Sequence, residues 1–225
     1  MKSLNIEVAN RIKENRSPFL DEGVYIDNLL PSTFKSYCKI LYPFEANEHT
    51  KQDLSIQNNL KVGDTISWEF LAKILGLTFH RDISFITFYE KLKRSDKLTS
   101  IDFPGEGRIP FELLLDILSA ITKQDEKIFV YQAYPNNIMK FPGLEALFEM
   151  ERNKALSLFQ NGYLGYMYNR NFNWILFCDT DLPYSLFAGD DDAVNKLLLF
   201  GKLEIVKCEK STRIDYGSDT INKIK

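Results

Sequence analysis

The chain has 225 residues, of which 44% are hydrophobic and 26% charged, enough for a substantial core in one large domain or two small ones. Twenty-eight Lys and Arg against 31 Asp and Glu leave a formal charge of −3, with no block of five or six like charges, which disfavours a phosphate-tracking nucleic-acid surface. The first residues lack a secretory apolar core, and no stretch approaches the ~18 apolar residues of a membrane span, so the expectation is a cytoplasmic protein without a membrane segment.

The elements follow in chain order. Leu4, Val8 and Ile12 recur at four-residue spacing, so residues 3–15 read as an amphipathic helix, ended by Ser17-Pro18. Residues 23–30 and 35–44 are rich in Tyr, Ile, Val and Phe, and predict a strand, a turn or short helix at residues 31–34, and a second extended piece. Residues 45–61 are mostly polar and predict a loop, with His49 in a solvated setting.

Ser67 is placed to cap a helix over residues 68–75, and Gly76 to turn the chain out of it. Residues 83–92 fit helix or strand equally. Gly105-Glu106-Gly107 resembles a phosphate loop only superficially, because the third glycine and the Lys-Ser/Thr pair are missing. Pro110 opens a helix over residues 110–122, with Phe111, Leu114, Leu115, Leu118 and Ile121 on one face. Residues 127–134 form a nearly continuous apolar run, as a strand covered on both faces would.

Pattern and propensity disagree over residues 142–161. Alternation at Ala146, Phe148 and Met150 favours strand, whereas the Leu, Ala, Glu and Met content and the spacing of Leu144, Leu147, Phe148, Ala155, Leu158 and Phe159 favour helix, the preferred reading on residues alone. Tyr163, Tyr166, Tyr168, Phe172 and Trp174, with Arg170 among them, can form a stacking platform, but half-buried strands use the same residues and this is the preferred account. Asn169, Asn171 and Asn173 supply hairpin turn chemistry.

Acidic residues gather around element ends only over residues 173–199. A buried strand over residues 174–178 ends at Asp179, Thr180 and Asp181; residues 184–188 form a short strand or arm; and Asp190, Asp191 and Asp192 open a helix near residues 191–200. Carboxylate oxygens suit Mg²⁺ or Ca²⁺, so Asp179, Asp181 and Asp191 are the metal candidates, although D-T-D lacks an EF-hand ligand series and helix capping accounts for much of the same pattern. Asp179, Asp181 and His80 are the catalytic candidates, and Tyr166, Tyr168, Arg170 and Tyr184 the partner-binding candidates. Structural zinc is disfavoured because Cys38, Cys178 and Cys208 are scattered and His49 and His80 are far apart; buried reduced thiols are expected instead.

The order GVYIDNLLPSTFKSYCKILYPFE, ISWEFLAKILGLTFH, RIPFELLLDILSAITKQDEKIFVYQAY and YNRNFNWILFCDTDLPYSLFAGDDDAVNKLLLFGKLEIVKC resembles a group of uncharacterised bacterial proteins common in actinobacteria. The resemblance implies an acidic strand end at Asp179 and Asp181, an arm at Tyr184-Ser185, and a strand at residues 144–151 with Arg152, Asn153 and Lys154 as its turn. It implies no activity, and the GDDD entry departs from the group's small-residue pattern, which weakens transfer of a carboxylate site. Leu30-Pro31 before an aromatic-rich helix start also looks like the SUKH superfamily of bacterial immunity proteins, which bind and neutralise toxins.

Together these readings predict an α+β fold: a mainly antiparallel sheet from parts of residues 23–44, 127–134, 144–150, 173–178 and 203–208, with three to four helices packed on it. An N-terminal helix (1–16), a single domain (17–209) and a polar, fraying tail (210–225) are expected. The preferred function is a non-enzymatic binding module, an immunity or regulatory partner of another protein, with no cofactor. The alternative is a carboxylate- or metal-dependent hydrolase or transferase using Asp179 and Asp181.

Overall fold

A computed structural model describes residues 23–56, 59–105, 107, 109–132, 146–160, 165–179 and 181–222. The expected helix at residues 3–15, the centre of the Gly-Glu-Gly motif, Tyr163 and Thr180 lie outside them. The described helices are α1 (Thr50–Asp53), α2 (Trp68–Leu75), α3 (Phe85–Arg94), α4 (Phe111–Ile121), α5 (Arg152–Gln160) and α6 (Asp191–Leu199). The strands are β1 (Ser36–Leu41), β2 (Phe44–Glu45), β3 (Thr65–Ile66), β4 (Lys127–Gln132), β5 (Ala146–Glu151), β6 (Gly165–Asn169), β7 (Trp174–Cys178), β8 (Tyr184–Gly189) and β9 (Ile205–Cys208). Seven of them form one sheet in the order β5-β4-β6-β7-β8-β1-β9, antiparallel at every pairing, while β2 and β3 make a separate ribbon. The fold is therefore α+β, a mainly antiparallel sheet with helices packed on it.

Strand alternation divides the core into two layers. Phe129, Tyr131, Tyr166, Tyr168, Ile175, Phe177, Tyr184 and Leu186 face one side, where they meet Ile26, Leu30, Trp68, Leu71, Phe88 and Ile214. Ile128, Val130, Met167, Trp174, Leu176, Cys178 and Phe187 face the other, under Leu114, Ile117 and Leu118 of α4, Ala155 and Phe159 of α5, and Val194 and Leu197 of α6. Both faces being covered explains why β4 reads as an unbroken apolar run. Among the described residues, no helix is long and apolar enough to cross a membrane.

Local signals hold where the chemistry is strong. The Ser67 hydroxyl accepts the Phe70 N–H at 3.1 Å, Gly76 leaves α2 at φ 66°, and Asp190 caps α6 by accepting the Ala193 N–H at 2.8 Å. The Asn169 side chain accepts the Asn173 N–H at 3.2 Å across the β6–β7 turn.

Four readings are corrected. Residues 23–30 are not a strand: isolated bridges at Gly23 and Tyr25 lead into a 3-10 turn over Ile26–Asn28, because Asn28 Oδ1 takes the Tyr25 N–H at 2.7 Å. Residues 146–151 are strand, as in the expected sheet and against the helix favoured on residues alone, since pairing with β4 satisfies their backbone, whereas Arg152, Asn153 and Lys154 start α5 where a turn was expected. The polar stretch after β2 contains α1, whose Thr50 hydroxyl donates to the buried Ser100 carbonyl at 2.6 Å. From Lys210 to Asn222 the chain packs onto the domain, for Ile214 is 3% exposed and the N–H groups of Ile26 and Asp27 donate to the carbonyls of Thr212 and Lys210 at 3.1 and 3.0 Å. Residues 83–92, ambiguous in sequence, belong to α3.

Candidate functional site

β7 delivers Asp179 and Asp181 to one end of the sheet. Asp179 is 8% exposed, and its Oδ1 accepts the Asp181 N–H at 3.1 Å, closing an Asx-type turn that leaves Asp181 in solvent. Opposite them runs the C-terminal segment, tied by Ile214 N–H to the Val24 carbonyl at 2.8 Å and by Val24 N–H to Asp215 Oδ2 at 2.8 Å. Between the two lies a cleft of about 300 Å³. Val24, Leu29, Leu182 and Ile214 form its apolar walls, and Asp179, Asp181, Asp215 and Tyr216 its polar rim.

Asp215 is fixed from three directions. Arg213 Nε donates to its two oxygens at 2.9 and 2.8 Å, and the N–H groups of Val24 and Gly217 each donate at 2.8 Å. Partial burial works to raise its carboxyl, but these donors outweigh it and hold the group below the usual aspartate value. Gly23 lies against the same side chains at φ 109°, where a Cβ would come within 2.7 Å of Arg213 Nε.

Two tyrosines expected at a partner surface instead support the cleft from beneath. Tyr166 and Tyr184 are buried, and their hydroxyls donate to the Leu29 carbonyl at 2.9 Å and the Ile214 carbonyl at 2.7 Å, the two backbone positions that form the walls. Burial raises the Tyr184 phenol, with the Cys208 and Asp215 charges adding to it, so it stays a donor at any ordinary pH. Tyr168 is buried too, its ring against Phe129 and Phe172. All three rings are thus buried within the fold, whereas Arg170 is exposed and paired with Glu149 at 2.8 Å.

The remaining candidates lie elsewhere. β8 runs back from Tyr184 to Gly189, so Asp190, Asp191 and Asp192 emerge beside Trp174, at the opposite end of the sheet from Asp179. Six strand residues at ~3.3 Å each put ~20 Å between the two acidic groups, too far for a shared cation. Asp191 accepts the Ser36 hydroxyl at 2.6 Å and Asp192 pairs with Lys196, the contacts of a helix entry. His80 does not line the cleft; its Nε2 meets Asp219 Oδ1 at 3.1 Å and its Nδ1 accepts the Asp82 N–H at 3.2 Å. Among the described residues, no three His, Cys, Asp or Glu are grouped so as to hold a metal ion.

The cleft thus joins the acidic strand end legible in sequence to Val24, Leu29, Ile214, Asp215 and Tyr216, which were not. Ile214 is the one trace they leave, an isolated apolar residue in a polar stretch. Comparisons with curated proteins and with solved structures give no match. A family model described as protein of unknown function (DUF2711) matches residues 22–218, and the chain belongs to that family.

Proposed function

We propose that this chain is a non-enzymatic binding module that docks another protein at the cleft between Asp179–Leu182 and the C-terminal segment. The observation that carries the reading is Tyr216, 56% exposed at the rim of an apolar cleft edged by carboxylates. An aromatic anchor beside an apolar floor, with polar groups around it, is the composition of a protein-binding hot spot. An immunity or regulatory role fits such a module, and the Leu30-Pro31 likeness to the SUKH superfamily supports the immunity form. Three free thiols, two of them buried, support a reducing compartment, and we place the protein in the cytoplasm.

A second reading has one observation in its favour. Asp179 and Asp181 line one cleft, the pair that a carboxylate- or metal-dependent hydrolase or transferase would use. One pair of measurements separates the two. Co-purification of one stoichiometric partner, lost on Tyr216→Ala and on Asp181→Lys while thermal stability holds, supports the binding module. Stabilisation by millimolar Mg²⁺, Mn²⁺ or Ca²⁺ that Asp181→Asn removes, with no such partner, overturns it in favour of the second reading.

A further inference from the structure

The cleft has a composition that selects its occupant. At about 300 Å³ it sits at the lower limit of drug-sized pockets, roughly 300–1,000 Å³, so it accommodates one side chain and not a helix or strand. The walls of Val24, Leu29, Leu182 and Ile214 suit an aliphatic stem. Around them stand Asp179 and Asp181, which repel an anion and favour a cation over a neutral group, while Asp215 is already paired with Arg213.

Resting on the proposal that this cleft docks a protein, we infer that it recognises an arginine side chain of the partner. The guanidinium is planar and less strongly hydrated than an ammonium, so it costs less to bring beside apolar walls and can meet carboxylate oxygens in pairs. The chain already contains this contact in another form, where Arg213 Nε meets Asp215 at 2.8 and 2.9 Å. Asp181, exposed at the mouth, receives the incoming group, and the exposed Tyr216 ring offers it a face. The methylenes then lie along Leu182 and Ile214 with the charge held at the rim.

The test uses the full ¹⁵N-labelled chain and three probes: n-butylguanidinium, n-pentylammonium and neutral n-pentanol, each titrated to on the order of 10 mM. The guanidinium is expected to shift the amide signals of Leu29, Leu182 and Ile214 saturably and to bind at least about 3-fold tighter than the ammonium. Asp181→Asn, at an exposed position, should weaken it about 5-fold or more and leave pentanol unchanged; Tyr216→Ala should weaken it independently. Equal binding of ammonium and guanidinium overturns the arginine assignment. Pentanol binding as tightly as guanidinium, unaffected by Asp181→Asn, overturns it while the cleft remains a docking site. If no probe gives a saturable shift at these residues, the docking reading falls as well.

Discussion

His80 and Asp219, 139 residues apart, are joined by an imidazole–carboxylate contact of 3.1 Å, with the carboxylate 2% exposed. The His80 Nδ1 accepts the Asp82 N–H, so the network assigns the proton to Nε2, and both ring nitrogens are occupied. Thr87 donates to Asp219 at 2.7 Å, and the N–H groups of Ile221 and Asn222 at 3.1 and 2.9 Å. The pair is a latch that closes the C-terminal segment onto the loop after α2, and the same segment forms one wall of the cleft.

Removing the latch should therefore loosen that wall. Asp219→Ala strands several donors at once and is expected to cost roughly 2–4 kcal/mol, or on the order of 10 °C in Tm for a chain of this length. His80→Ala leaves the carboxylate its other donors and should cost less than half as much. Urea unfolding gives both values, and amide exchange across residues 78–82 and 210–222 locates the loss. Equal costs for the two variants would defeat the view that Asp219 is the hub.

The acid limb of stability follows from the same carboxylate. Burial works to raise the Asp219 carboxyl, but the Asn222 and Thr87 donors and His80 outweigh it and leave it below the usual aspartate value. A carboxyl depressed in the folded state contributes stability that is present above the unfolded value of ~3.9 and is lost as pH falls through the lower, folded one. Asp215 acts with the same sign. Thermal melts below about pH 4 should fall more steeply for the wild type than for Asp219→Asn, whose curve lacks this ionisation.

Sequence and structure agree where one residue's chemistry decides its local backbone. Ser67, Gly76 and Asp190 are such cases, and so is the uninterrupted apolar run of β4, which two-sided burial requires. They part where distant segments supply the partner. Residues 146–151 have helical content but lie along β4, and Ile214 looks like part of a solvated tail until β8 and Val24 are beside it. Half of the cleft shared this difficulty: Asp179 and Asp181 sit at a recognisable strand end, whereas Asp215 and Tyr216 reach them through contacts of their segment with the distant Val24, Tyr25 and Tyr184.

Lys39 is an uncommon core residue, 1% exposed in β1, with Nζ donating to the Arg81 carbonyl at 2.8 Å and lying 5.2 Å from the centre of the Tyr184 ring. Burial lowers its amine below the usual lysine value and outweighs the opposing pull of Cys208, Asp82 and Asp219, with Arg81 adding to the lowering. Between the folded value and the unfolded ~10.4 the unfolded chain holds more protons, so wild-type stability should gain from rising pH across that window. Lys39→Met fills similar volume without the charge. It should be more stable at pH 7 by roughly 1 kcal/mol and lack that gain in alkaline melts. A large loss of stability at neutral pH would show instead that the Arg81 contact outweighs the desolvation.

Glu204, just before β9, closes the N-terminus of α2 from 136 residues away. Its Oε2 accepts the Trp68 N–H at 2.7 Å and its Oε1 the Glu69 N–H at 2.8 Å, while Ser67 serves Phe70, so three of the four N–H groups a helix leaves open are satisfied. The contact also fixes Trp68, whose indole N–H donates to the Tyr42 carbonyl at 2.7 Å beneath the aromatic cluster of Phe44 and Phe88. Glu204→Ala should cost about 1–2 kcal/mol, Ser67→Ala about 1 kcal/mol, and the double variant should depart from their sum because both serve one helix end. Burial raises the Glu204 carboxyl more than the two N–H groups lower it, so its ionisation works against folding. Its contribution is complete below the unfolded value of ~4.3 and declines as pH rises through the folded one, opposite in sign to Asp219. Glu204→Gln should remove that decline while keeping one acceptor for α2. A Glu204→Ala cost below about 0.5 kcal/mol, measured as a urea midpoint at unchanged m, would mean that Ser67 alone caps the helix.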